Sequence, residues 1–492
     1  MVMTYTVNFD SWLPDKVSLY DYQTAGVAYA LYATAGGKGA WIADEQGLGK
    51  TMQAIVAAKV RGCKKIGIFV KASLKAVWVR ELERCAPEWN VQVLTGKRPY
   101  EATAEVCIIQ FDLLHTWADA LVAEQFDCLI IDESHYVKDT KAQRTRAALK
   151  VAADVRSRRG MLLLLTGTPL LNRPVELVPQ LMMMGRLQDV SPPPRYGTSE
   201  RDWEYAFKNT YCFSEQNSYG TKYNGARWTD LLNTRMRNSC FVRRLRRDVL
   251  DMADAHRVAT PLSLNGALDR YWDLEKHFVS KKPESYWLEL LGALRKEVGR
   301  AKVAGAVDWV KDFLEETEED GKKVVVWTWH VAVGDSIAKA FPGCANMREF
   351  RSGSPEFMAE MDRFNTDPEC RVIVCSLNAH REGLTLVGNG HNVTDTLFCE
   401  QPWHPGAVSQ AEDRISRIGQ LAQERFTTTL QVPGTVDEWL ANLIAEKWET
   451  FKGAIDGTVV EAQSDNMQAI VAAQLRDSVL AKVGPNPEIG RV

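Results

Sequence analysis

Four stretches in the first third of the chain, 66–70, 106–109, 128–131 and 161–165, are apolar almost without a break. Segments with helical spacing lie between several of them, such as 73–85 and 140–155. A strand with one face in water alternates apolar and polar residues. A strand apolar on both sides must be covered on both faces, as in a parallel sheet packed between helices. The alternation therefore predicts a doubly wound α/β domain that binds its ligand at the C-terminal ends of the strands. After a break at SPPPRYG (191–197), residues 201–250 and 265–316 read as mostly helical. Strand-like runs return at 324–328, 372–376, 396–399 and 426–432, with helices between, so a second α/β domain is expected. From about residue 456 the chain reads as a polar stretch and one amphipathic helix. MQAIVAA occurs at 52–58 and again at 467–473. The second copy has no glycine loop before it, so the two read as Ala-rich helices and not as a repeat.

At 492 residues there is room for two or three domains, each with its own core. The start carries no basic region followed by an apolar run, so no signal peptide is expected. No apolar stretch approaches the roughly 20 residues of a membrane helix. The ten cysteines include no C-x-x-C pair, which suggests reduced thiols and neither a zinc site nor a disulfide framework. A formal net charge of −3 makes any nucleic-acid surface local. RSRRG (156–160) and RMRNSCFVRRLRRDVL (235–250) could supply one, although each by itself reads as a solvated helix face. EETEED (315–320) reads as an exposed helix end.

Against this frame stands AWIADEQGLGKTMQAI (40–55). A short strand at 39–43 and a helix at 50–60 put Gly47 and Gly49 at a strand-to-helix corner, where backbone N–H groups can turn inward at a positive helix end. Gln46, Gly47, Leu48 and Gly49 would cradle phosphates. Lys50 would reach the outer phosphates as a point charge, and the Thr51 hydroxyl would ligate magnesium. The strict pattern asks for glycine at position 44, where Asp44 stands, so an ordinary Gly-rich helix start remains the alternative.

Four further motifs bear on that choice. LIIDESH (129–135) ends an apolar strand in two carboxylates: Asp132 suits a metal ion and Glu133 a water-activating base. LLLLTGTPLLN (162–172) ends a strand in Thr166 and Thr168, either a capped turn or a relay that senses the nucleotide. In QAEDRISRIGQ (410–420), Arg414 and Arg417 are three apart, hence on one helical face. They suit either a triphosphate or a salt-bridged surface. In SLYDYQTAGVAYAL (18–31), the Gln23 amide can donate and accept, as reading an adenine edge requires.

LYDYQTAGV, DEQGLGKT, VKASLKAVWVREL, DESH, LTGTPLLNRPVEL, FVRRLRRDVL and QAEDRISRIGQ, in that order, resemble the Swi/Snf-type double-stranded-DNA translocases of helicase superfamily two. The resemblance runs from about residue 19 to about 447. That superfamily's phosphate loop often lacks the first glycine. TPLLNRPVEL, WEYAFKNTYC, KYNGARW, SLNAHREGLTL and QPWHPGAVSQAEDR resemble its annealing, fork-remodelling subgroup.

The resemblance implies two RecA-like lobes: residues 1–260, with a helical insertion at about 191–250, and 261–455, followed by a tail at 456–492. It implies ATP and Mg2+ as cofactors and DNA-stimulated ATP hydrolysis. Gln23 would read adenine, and Lys50, Thr51, Asp132 and Glu133 would serve phosphate, metal and water. Arg414 and Arg417 would act as arginine fingers. Lys71, Thr166 and Trp403 match positions at or near the DNA track. Ser134 replaces the alanine of the D-E-A-H pattern, and His380, Arg381 and Glu382 stand where many relatives have small residues. The reading is a monomeric motor on duplex DNA, without a membrane partner, in a prokaryotic or viral-host cytoplasm or in a eukaryotic nucleus. Its rivals are a strand-separating DNA or RNA helicase and a non-hydrolysing DNA-binding scaffold.

Overall fold

The computed structural model describes residues 8–167, 174–217, 220–250, 255–264, 267–277, 284–380, 384–403 and 405–444, with Leu475 and Asp477. Thr168, Arg381 and Glu382 lie outside the described residues, as does nearly all of the 456–492 tail. Two compact units emerge, one built on Met1–Met252 and the other on Ala253–Glu449.

In the first unit the strands are β1 (Ala40–Ile42), β2 (Ile66–Val70), β3 (Val91–Val93), β4 (Val106–Gln110), β5 (Cys128–Asp132) and β6 (Met161–Leu165). β7 (Phe213–Asn217) and β8 (Gly220–Asn224) form an antiparallel hairpin, and β9 (Phe241–Val242) returns to the main sheet. That sheet runs β3-β4-β2-β5-β6-β1-β9, all parallel. The apolar runs are its interior strands: β2 and β6 are buried at every position, because helices cover both faces. The helices are α1 (Asp21–Thr34), α2 (Lys50–Arg61), α3 (Lys75–Cys85), α4 (Leu114–Ala123) and α5 (Gln143–Ser157). On one face Val27, Ile55 and Trp78 pack with Ile68 and Leu163, and on the other Trp117, Val151 and Leu181 pack with Phe69 and Leu164.

The second unit holds β10 (His256–Pro261), β11 (Lys323–Thr328), β12 (Ala345–Asn346), β13 (Val372–Ser376), β14 (Val393–Phe398) and β15 (Phe426–Gln431). They form a second parallel sheet in the order β10-β15-β14-β11-β13-β12. The helices Asp269–His277, Glu284–Ala301 and Val303–Glu316 belong to this unit. The fold is thus doubly wound α/β twice over, as the alternation predicts.

β10, before the expected boundary at 260/261, pairs along its length with β15 and belongs to the second unit. Two local expectations need correction. The insertion is not wholly helical. Its helices Glu200–Tyr211 and Thr229–Ser239 are separated by the β7–β8 hairpin, whose polar residues carry no apolar alternation. The motif at 410–420 is not one helix either. The helix Pro405–Glu412 stops before Arg414, whose guanidinium donates to the Gln410 carbonyl at 2.8 Å. Arg414 and Arg417 therefore lie on a turn.

Candidate functional site

β5, β6 and β1 are neighbours in the sheet, so their C-terminal ends bring three loops of distant sequence together: 132–135, 166–167 and 43–50. This is the edge at which doubly wound sheets place their ligands.

The loop after β1 is held open by left-handed glycines, Gly47 at φ 85° and Gly49 at φ 73°, conformations that a side chain would strain. Gly49 leads directly into α2. The Leu48 carbonyl is turned into the protein. It accepts from Tyr22 Oη (3.3 Å), Gln23 Nε2 (3.2 Å) and Gln53 Nε2 (3.3 Å). Such anchoring lets the N–H groups of the loop's second half and of the first turn of α2 face an anion. Lys50 Nζ donates to the carbonyls of Asp44 (2.9 Å) and Glu45 (3.1 Å), spanning the loop where phosphate oxygens would replace those acceptors. Thr51 follows on the first turn of α2, where its hydroxyl could join a cation's shell.

Gln23 does not present a bare amide. Its Oε1 accepts from the Tyr20 N–H at 3.0 Å, and its Nε2 side serves the Leu48 carbonyl at 3.2 Å and the Tyr22 hydroxyl, so the amide is engaged at both ends within the protein. Asp44 is the other surprise. At 0% exposure it accepts from Gln53 Nε2 (3.1 Å), the Arg244 N–H (3.0 Å) and Arg244 Nη1 (3.0 Å). The residue that departs from the strict loop pattern is a buried, fully paired carboxylate.

At the end of β5, Asp132 accepts from the indole N–H of Trp78 (2.8 Å) and from the Glu133 N–H (2.9 Å). Desolvation, then the neighbouring Glu133 charge, push its carboxyl up to about 7, against opposing pulls from Trp78 and Lys50. An acid raised in this way gains most from a cation. Magnesium is commonly held by one or two carboxylates together with substrate phosphates, and Asp132 with Thr51 fits that pattern. Glu133 adopts φ 47°, rare for a residue with a side chain. Its Oε2 lies 3.1 Å from Thr166 Oγ1, which donates to it, and 3.3 Å from His135 Nδ1. His135 Nδ1 is also 3.2 Å from Thr166 Oγ1. The three side chains are buried together. Thr166, expected at or near a track, thus sits beneath the surface on the acid pair. Gly167 closes the gap: a Cβ there would meet Gln46 Cγ at 2.6 Å.

Lys71 lies over the Tyr136 ring, 5.6 Å from its centroid, beside the acid-pair loop. In the second unit, Arg414 is 2% exposed and donates to the carbonyls of Gln410 and Leu384. Arg417 is only half-buried and donates to Thr385 Oγ1 at 3.0 Å. Glu412, a candidate partner for these arginines, pairs instead with Arg257. Trp403 is half-buried and stacks on Arg295, whose guanidinium carbon is 4.0 Å from its ring centroid and 5.0 Å from that of Trp329. Burial pushes Arg295 down to about 10.

Sequence reading missed Trp78 as a partner of Asp132, although VKASLKAVWVREL contains it. It also read 235–250 as a solvated face. In the structure Arg243 Nη1 donates to the carbonyls of Ala43 (2.9 Å) and Gly167 (3.0 Å), so this stretch supports the loop.

A parallel sheet that presents a Gly-x-Gly-Lys-Thr loop, a strand-end acid pair and a threonine on that pair is a candidate site for a nucleoside triphosphate. Residues 22–273 match the SNF2-related domain, and the chain belongs to that family. Over 482 residues it is 29% identical to the Bos taurus protein named DNA annealing helicase and endonuclease ZRANB3, covering 92% of this chain and 42% of that protein. Over 458 residues it is 30% identical to the Bos taurus SWI/SNF-related matrix-associated actin-dependent regulator of chromatin subfamily A-like protein 1, covering 87% of this chain and 44% of that protein. The chain thus spans less than half the length of these relatives. A solved structure described as the Sulfolobus solfataricus SWI2/SNF2 ATPase core in complex with dsDNA aligns with a TM-score of 0.40 at 19% identity, covering 94% of this chain and 97% of that one.

Proposed function

We propose that the chain is a motor that hydrolyses ATP with magnesium and uses the cycle to move along duplex DNA without extensive unwinding. The observation that carries this reading is the buried contact of Thr166 with Glu133, beside a phosphate loop whose lysine spans the anion position. Membership of the SNF2-related family and the likeness to proteins named as annealing helicases support the track.

Bound ATP would supply an electrophilic terminal phosphorus and, with its magnesium, most of the charge at the site. Lys50 exchanges its two carbonyl acceptors for phosphate oxygens. Thr51 and Asp132 would hold the cation, and Trp78 fixes the orientation of Asp132. Glu133 orients a water and takes its proton, while Thr166 and His135 hold its carboxylate in place. Gln23 reads the base by exchanging its protein partners for the adenine edge. Arg414 is buried and committed to backbone carbonyls within its own unit, so the half-buried Arg417 is the candidate arginine finger of the two. Trp403 and Lys71 remain the candidates for track contacts. The relatives quoted come from an animal, which supports a nuclear setting and adds nothing to a prokaryotic one.

Melting DNA costs about 1.4 kcal/mol per step in stacking, and a motor that grips phosphates avoids that cost. ATP turnover should be stimulated more by duplex than by single strands of equal length, and stimulation should fall steeply with salt as phosphate contacts release counterions. The chain should displace a triplex-forming strand in an ATP-dependent way and leave a simple forked duplex paired. Efficient unwinding of that fork, with stimulation by single strands alone, would establish the strand-separating helicase instead. No hydrolysis under any of these conditions would leave the binding scaffold.

A further inference from the structure

The basic stretch after Ser239 is bound to the first half of the phosphate loop residue by residue. Backbone bonds run from the Trp41 N–H to Cys240 O (2.7 Å), from Ala43 to Val242 (2.8 Å) and from Glu45 to Arg244 (3.0 Å). The pairing of β1 with β9 thus continues beyond both strands, alongside the loop itself. Side chains repeat the pattern. Arg243 holds the Ala43 carbonyl, and Arg244 Nη1 lies 3.2 and 3.0 Å from the two oxygens of Asp44. The Arg246 N–H donates to Glu45 Oε2 at 2.7 Å, and Arg246 Nη1 reaches the Gln46 carbonyl at 3.3 Å. Beyond the short helix Arg246–Val249 the chain passes at Met252 into the second unit.

We propose that Arg244 is a positioning residue for the phosphate loop, setting the loop's first half through buried Asp44 and linking its geometry to the segment that leads into the second unit. A glycine in the first position of the strict pattern supplies freedom to the loop. Here a carboxylate supplies an anchor, and the segment just after β9 that carries Arg244 holds it. A shift of that segment must move the loop, because Asp44 accepts its backbone and side-chain donors at once. A buried carboxylate stripped of its guanidinium is costly, whereas loss of both partners leaves no orphan charge. The proposal rests on the loop's being a nucleotide site.

The test measures affinity for a fluorescent ATP analogue with magnesium, the KM and kcat of ATP hydrolysis, the ratio of duplex-stimulated to basal turnover, and Tm. Arg244→Ala should weaken analogue binding and raise KM by about 10- to 100-fold, a typical cost of losing a group that orients a binding one. It should lower kcat at saturation far less, and lower the stimulation ratio. Arg244→Lys, which keeps the charge without the fork, should recover part of the affinity. Asp44→Ala combined with Arg244→Ala should be less impaired in binding than Arg244→Ala alone. Arg247 is exposed and bridged only to Asp248 among the described residues, and Arg247→Ala should leave analogue affinity unchanged.

Unchanged affinity and KM in Arg244→Ala, with only Tm lowered, would reduce the contact to a structural brace and overturn the proposal. An equal loss in Arg247→Ala would overturn it by assigning the effect to the charge of the segment. If Arg244→Ala does not fold, Arg244→Lys decides: wild-type affinity and stimulation in that variant count against the proposal. A wild-type chain that binds no analogue would sink the nucleotide reading and the proposal together, whereas wild-type binding that is indifferent to Arg244 sinks the proposal alone.

Discussion

The indole N–H of Trp78, on α3, donates to Asp132 Oδ2 at the end of β5 across 2.8 Å, from a ring that is itself buried in the core. A tryptophan of the hydrophobic core thereby orients the carboxylate best suited to hold a cation, and favours its charged form.

That bond makes a pH prediction. The Asp132 carboxyl stands at about 7, above its ordinary 3.8, so the folded protein holds a proton that the unfolded chain has released. The stability of the nucleotide-free protein should therefore fall as pH rises from about 4 to about 7 on account of this group, then level off. Asp132→Asn should remove that part of the slope in denaturant titrations. Trp78→Phe removes a donor to the charged form, worth about 1.5–3 kcal/mol, and should move the acid limb of the kcat/KM profile upward by about one to two pH units. An acid limb that stays in place in Trp78→Phe would mean that another group controls it.

The loop and the acid pair should separate in kinetics. Lys50→Ala should abolish turnover, because the side chain that spans the loop is then gone. Glu133→Gln should keep nucleotide binding while turnover falls by about 10²- to 10⁴-fold, the usual worth of a positioned base. Single-turnover hydrolysis at the wild-type rate in Glu133→Gln would remove that residue from the chemistry.

Thr166→Val keeps the shape of a fully buried side chain and deletes the hydroxyl on Glu133. Loss of a hydrogen bond to a charged group should lower turnover by about 10- to 100-fold, with duplex affinity in the absence of nucleotide unchanged. A variant that hydrolyses normally but binds duplex poorly would place Thr166 on the track after all.

The two arginines of the 410–420 turn should behave differently. Arg414→Ala leaves the Gln410 and Leu384 carbonyls without a buried donor and opens a cavity. It should destabilise the second unit by about 2–5 kcal/mol, read as a lowered unfolding midpoint. Arg417→Ala should fold normally and lower turnover by about 10³-fold if the guanidinium reaches the phosphates. Equal thermal losses in both, with turnover of the folded fraction intact, would make the whole turn structural.

What was legible in the amino-acid order was whatever rests on local chemistry. Runs such as MLLLL at 161–165 announce strands covered on both faces, and Gly47 and Gly49 announce a loop that bends as only glycine readily allows. These are properties of short segments. The short strands β9 and β12, two residues each, carry no periodicity and exist only because a neighbouring strand offers them a ladder. The helix expected through Arg414 ended early because its guanidinium bonds to backbone carbonyls, a competition that spacing does not reveal.

The site divides in the same way. Lys50, Asp132 and Glu133 follow from motifs, but their supports do not. Trp78 looks like any core tryptophan, and Arg244 looks like one more charge in a basic run. Each acquires its role from a partner far along the chain: Asp132 for the first, and for the second Asp44, at a separation of 200 residues. Tertiary structure decided those contacts because a carboxylate taken out of water must find a donor in space, and the parallel sheet determines which distant segment stands beside it.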